Sequence, residues 1–105
     1  MKVSQIFMLY FMASLLFSCG NPLLKAGLHY QKHQDYPSLQ LVVGQLPENA
    51  DTALVQSILG EPIDMGFDYR YLLDSVGPND CVIGAVFHIA EGGIIDQKWI
   101  GEICE

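Results

Sequence analysis

CVIGAVFHIAEGGIIDQKWIGEIC, residues 81–104, decides the fold. Cys81 to Ile89 is a β-branched and apolar run of strand length, Gly92-Gly93 is a turn signal, and Ile94 to Ile103 resumes in strand-compatible residues. The pattern predicts a β-hairpin flanked by two cysteines. If its loop is the four residues Glu91-Gly92-Gly93-Ile94, then Ala90 faces Ile95, Val86 faces Trp99 and Cys81 faces Cys104. Facing residues lie about 4.5–5.5 Å apart, a separation that permits a disulfide. A two- or three-residue turn would shift the register and part the cysteines, leaving two buried thiols. The spacing excludes a CxxC redox site.

Working upstream, Phe67, Tyr69, Tyr71 and Leu73 alternate with Asp68, Arg70, Leu72 and Asp74. This is a period of two with aromatic residues on one side, and it predicts a third strand. Ser75 to Asp80 is a turn-rich link. Before the strand, Asp51 is a good N-cap, and Leu54, Val55, Ile58 and Leu59 fall on one helical face. Gly60 supplies the stop and Pro62 prevents resumption. A helix of roughly nine residues persists only when packed, and the sheet is the surface available to it. The expected fold class is therefore α+β, with short helices packed on a three-stranded antiparallel meander. Leu23 to Gln34 is a weaker helical pattern, interrupted by Gly27 and expected to end at Pro37. Ser38 to Val43 is an apolar run that fits either a strand or a helix.

The N-terminus reads differently. Met1-Lys2 gives a positive start, and Val3 to Phe17 is almost unbroken apolar sequence. That run is about 15 residues, the length of a signal-peptide core and short of the roughly 20 that span a bilayer as a helix. It ends in Leu16-Phe17-Ser18-Cys19, which resembles the lipobox of bacterial lipoproteins, with Cys19 as the residue that receives diacylglycerol before cleavage. The predicted organisation is a lipoprotein signal peptide at 1–18, a tether and possible short helix at 19–36, and a small α+β domain at 37–105. The expected partner is the membrane, through the lipid at Cys19. Gly20 stands where an aspartate would act as a retention signal, so the expected destination is the bacterial outer membrane, on either its periplasmic or its surface face.

Beyond the signal, twelve acidic residues stand against Lys25, Lys32, Arg70 and Lys98, a net of −8 with histidines neutral. Binding to nucleic acid needs clustered Lys and Arg, so this charge excludes it as a function class. Chemistry-bearing constellations are equally thin. His29 and His33 are four apart, with Asp35 nearby, but no third ligand has matching spacing. Asp64, Asp68 and Asp74 fit no calcium loop, and Ser57 and Ser75 sit in no nucleophile motif. His88 lies within a predicted strand and reads as a hydrogen-bonded or surface residue. No catalytic residue, metal site or cofactor is expected.

Leu59-Gly60-Glu61-Pro62 closing a short amphipathic helix, an aromatic strand, and Val86-Phe87-His88-Ile89 before a glycine turn together resemble the SmpA/OmlA group. These are small BamE-like outer-membrane lipoproteins, with related β-lactamase-inhibitor-like modules. The resemblance covers Asp51 to about Trp99, plus the lipobox. It implies a protein that acts through surfaces and has no active site. The expected function is a membrane-tethered, non-catalytic interaction module of the cell envelope, and the resemblance implies a role in outer-membrane assembly. The alternative is an acidic inhibitor or immunity-type lipoprotein that blocks a basic enzyme. The expected contact residues are Phe67, Tyr69, Tyr71, Val76 and Asp80, on the aromatic strand and the loop after it.

Overall fold

The computed structural model describes residues 21–104. Three helices come first: α1 (Pro22–His33), α2 (Tyr36–Gln45) and α3 (Thr52–Leu59). A four-stranded antiparallel sheet follows in the order β1 (Ile63–Asp64), β2 (Asp68–Val76), β3 (Val82–Ile89), β4 (Ile95–Glu102). The class is α+β, and the meander has one strand more than the expected three. The added strand is two residues long, pairing Ile63 with Arg70 and Asp64 with Tyr69. A strand so short carries no periodicity of its own.

Each helix starts on a side-chain cap. Asn21 accepts from the Leu24 amide at 3.3 Å, Asp35 from Ser38 at 3.1 Å and Asp51 from Leu54 at 2.9 Å. Pro22 and Pro37 occupy first turns, where a missing N–H costs nothing. Pro37 thus opens α2 rather than ending α1, which stops at Gln34 in the left-handed region (φ 50°). The apolar run Ser38–Val43 is helical, and Leu39, Val42 and Val43 bury themselves at i, i+3 and i+4. In α3, Val55, Ile58 and Leu59 are buried and Gly60 (φ 86°) ends the helix, as the spacing predicts.

Gly27 has a structural purpose that its sequence context hides. A Cβ there would collide with the backbone oxygen of Ile58, so the glycine lets α1 and α3 approach closely. Gln31 then donates to the Ile58 carbonyl at 2.9 Å. Ala26 and Tyr30 join the same core as Leu39, Val55, Ile58, Tyr71 and Phe87. Helix α1 therefore belongs to the packed domain, which extends further toward the N-terminus than the expected boundary at residue 37. Three aromatic rings cross this core edge to face: Tyr30 on Tyr71 at 6.2 Å and Tyr71 on Phe87 at 5.8 Å.

The hairpin register has an instructive origin. Ala90 and Ile94 close a three-residue turn, Glu91–Gly93, with Gly92 and Gly93 at φ 83° and 79°. Such a turn alone would misalign the cysteines. The register slips by one residue between Ile89↔Ile95 and His88↔Gln97, leaving Asp96 as an extra residue on β4. That bulge restores the pairing read from the sequence, including Val86 opposite Trp99. Cys81 and Cys104 come together at the far end, bonded at 2.03 Å with Cα atoms 5.3 Å apart.

Candidate functional site

The sheet has two faces of different fate. Odd-numbered residues of β2 and β3, Tyr69, Tyr71, Leu73, Ala85 and Phe87, point into the helices and are buried. Even-numbered residues point the other way: Asp68, Arg70 and Leu72 pair across with His88, Val86 and Gly84. Val86 is buried yet stands outside the helix-packed core, because its cover comes from its own face. On that face Trp99, opposite Val86, remains 45% exposed and Ile63 47% exposed. Two shallow hollows of about 250 Å³ each mark the surface, and Arg70 lines both. One holds Val86, His88 and Trp99; the other holds Ile63, Leu72 and Val82. An apolar floor with a few fixed polar groups is the anatomy of a contact surface.

Those polar groups are held in place. Asp68 is buried and accepts from Arg70 Nε at 3.2 Å, an i, i+2 pair on one side of the strand. His88 Nδ1 lies 2.6 Å from Asp96 Oδ1, so the bulge residue is tied back to β3. The His88 hydrogen bond holds the Asp96 carboxyl below the usual carboxylate range.

The five expected contact residues divide. Tyr69 and Tyr71 are a correction: they are 8% and 3% exposed, on the helix-covered face. Their hydroxyls are also occupied, since Tyr69 accepts from Gln56 at 2.9 Å and Tyr71 donates to the Gly60 carbonyl at 2.9 Å. Burial pushes the Tyr71 hydroxyl well above its ordinary value, helped by the neighbouring Tyr69, Tyr30 and Glu61. Phe67 and Val76 are exposed, at 55% and 59%. Phe67 immediately precedes the nine-residue strand and Val76 ends it, so they lie about 30 Å apart. Asp80 sits beyond Val76 in the turn, at φ 64°, where its amide donates to the Gly77 carbonyl at 3.0 Å. The aromatic strand and the following loop therefore do not form one patch. Trp99 and Ile63, which do share a face, were not among the expected contacts. The pairing of Val86 with Trp99 was the available signal, but the hairpin alone does not say which face the helices cover. Cys19 lies outside the described residues.

Two other constellations resemble chemistry and are not. His29, Asp35 and Ser38 adjoin, but Asp35 (2.7 Å) and Ser38 (2.9 Å) meet the same ring nitrogen, His29 Nδ1. A nucleophile relay needs the acid and the hydroxyl on opposite nitrogens. The trio caps α2 instead. Partial desolvation, which would raise the Asp35 value, is outweighed by hydrogen bonds from Ser38 and His29, and the carboxyl is lowered to about 2. Among the described residues, ligating atoms of Cys81, Glu102 and Cys104 gather within 4.8 Å. The sulfurs are bonded to each other, and thiolates are what bind a metal. Glu102 meanwhile accepts from the Asn79 amide at 2.9 Å, its side chain at 3.1 Å and the Cys81 amide at 3.3 Å. This end of the sheet is a clamp on the 77–81 turn.

Among the described residues no helix is long and apolar enough to cross a membrane. Compared with known proteins, the chain matches no family model, no curated protein and no solved structure.

Proposed function

We propose that this protein is a bacterial lipoprotein, tethered through Cys19, that works without catalysis as a protein-interaction module of the cell envelope. The observation that carries this reading is the open sheet face around Arg70 and Trp99. Among the described residues the three helices share their core with the opposite face, and Ile63 and Trp99 are left uncovered. Exposed tryptophan beside arginine is the composition enriched where interfaces hold most of their affinity. The lipid attachment is supported by the apolar run that ends in Leu16-Phe17-Ser18-Cys19. An outer-membrane destination follows from Gly20 after the lipidated cysteine, and the SmpA/OmlA resemblance adds an assembly role to the proposal.

The test is a pull-down of the lipidated protein from detergent-extracted envelopes, comparing wild type with Trp99→Ala at low and high ionic strength. Retention of a partner by wild type at both, with loss in Trp99→Ala, is expected. Binding that vanishes at high salt and ignores the substitution would favour the alternative, an acidic blocker of a basic enzyme, for which the net charge of −8 beyond the signal is the supporting observation.

A further inference from the structure

Charge is segregated along this chain in a way that its composition hides. All twelve acidic residues lie at or beyond Asp35. Lys25 and Lys32, two of the four basic residues after Cys19, lie on α1, which has no acidic residue at all. Helix α1 is thus a cationic element on a strongly anionic body. It also leaves apolar surface uncovered, with Leu24 46% and Leu28 65% exposed. At 3.6 residues per turn, Leu24, Leu28, Lys32 and Lys25 share one arc of about 100°, opposite the buried Ala26, Gly27 and Tyr30. A groove of about 310 Å³ runs beside this arc, lined by Pro22, Lys25, Ala26, Pro37 and Leu41 together with His29 and Ser38, the two residues that hold Asp35.

We infer that α1 lies along an anionic lipid surface, with Leu24 and Leu28 in the headgroup layer and Lys25 and Lys32 against the lipid phosphates. The inference rests on the lipid attachment at Cys19. Pro22, the first residue of α1, is three residues from that cysteine, and an extended chain of that length reaches only about 10 Å. The acyl anchor therefore delivers α1 to the bilayer surface. Two leucines and two lysines bind a membrane weakly by themselves. Behind an anchor the same contact becomes intramolecular, and a weak preference is enough to set orientation. The acid-free helix is the element that such a surface attracts in a chain that is otherwise strongly anionic. A partner protein on α1 is the rival occupant. The absence of any anion on the helix and its closeness to the anchor favour lipid.

The experiment uses the lipidated full-length product, its acylation first verified by intact mass. An environment-sensitive fluorophore is placed at Leu28→Cys or, as a control, at Val76→Cys, and each protein is reconstituted into phosphatidylglycerol or phosphatidylcholine vesicles. Both sites are exposed, so neither substitution disturbs the core. In phosphatidylglycerol the label at position 28 is expected to shift to shorter wavelength and to be quenched about twofold or more by spin-labelled lipid, while the label at position 76 barely responds. Lys25→Glu with Lys32→Glu should reverse most of that quenching. An acylated protein whose label at position 28 stays as open to aqueous iodide as the one at 76 overturns this inference alone. A mass lacking acylated glycerol overturns the anchor and the inference together.

Discussion

β2 and β3 put apolar side chains on both of their faces, and the two faces meet opposite ends. On one face Tyr69, Tyr71 and Phe87 are sealed by three helices, and the two tyrosine hydroxyls are matched to Gln56 and the Gly60 carbonyl. On the other, Val86 has only its own strand neighbours for cover, and Trp99 stands half in solvent. Strand alternation separates side chains into two sets but does not say which set is core. That choice is made by the helices, and a small domain has helical surface for one face only.

The largest expected effect tests that asymmetry directly. Phe87→Ala empties a fully buried site and should cost about 3–5 kcal/mol, whereas Trp99→Ala should cost no more than about 1 kcal/mol, both read from urea midpoints. Equal costs would mean that both faces are core. Next comes the clamp at the end of the hairpin. Removing the disulfide through Cys81→Ala with Cys104→Ala should cost about 3 kcal/mol, mainly by freeing the unfolded chain. An unchanged midpoint in the double variant would mean that Glu102 and the turn hold that end unaided.

A third substitution asks how α1 is fastened to the sealed side. Gly27→Ala should gain about 1 kcal/mol from helix propensity and lose about 1–3 kcal/mol to overpacking against Ile58, for a net destabilisation. Net stabilisation would place α1 further from α3. The smallest effect concerns the α2 cap. Asp35 titrates at about 2 in the folded protein and at about 3.9 when unfolded, so its contribution is complete above about pH 5. It is lost as pH falls through 4 toward 2. The stability gap between wild type and Asp35→Asn should close over that range, and a gap independent of pH would detach Asp35 from His29 and Ser38.

How much of this was legible beforehand depended on signal length. Helix α3 and the long strands announce themselves, through Asp51, Gly60 and eight or nine patterned residues each. The cysteine pairing was legible, but for a reason the sequence concealed: a three-residue turn and a bulge at Asp96 compensate one another. Helix α2 was ambiguous because Ser38–Val43 is apolar throughout, and the deciding feature is the Asp35 cap upstream. Gly27 looked like an interruption because its reason for being glycine, the Ile58 carbonyl, is distant in sequence. Of the expected contact residues, Phe67 and Val76 are exposed. The burial of Tyr69 and Tyr71 required knowing where the helices sit.

The most direct test of the open face as the working surface is photo-crosslinking on native membranes. A photoreactive residue is placed at Trp99 on the open face or at Ser57, which is exposed on the helical side. The account predicts one discrete adduct with an envelope protein from position 99 and none from position 57. Adducts from position 57 alone, or the same products from both, would contradict it.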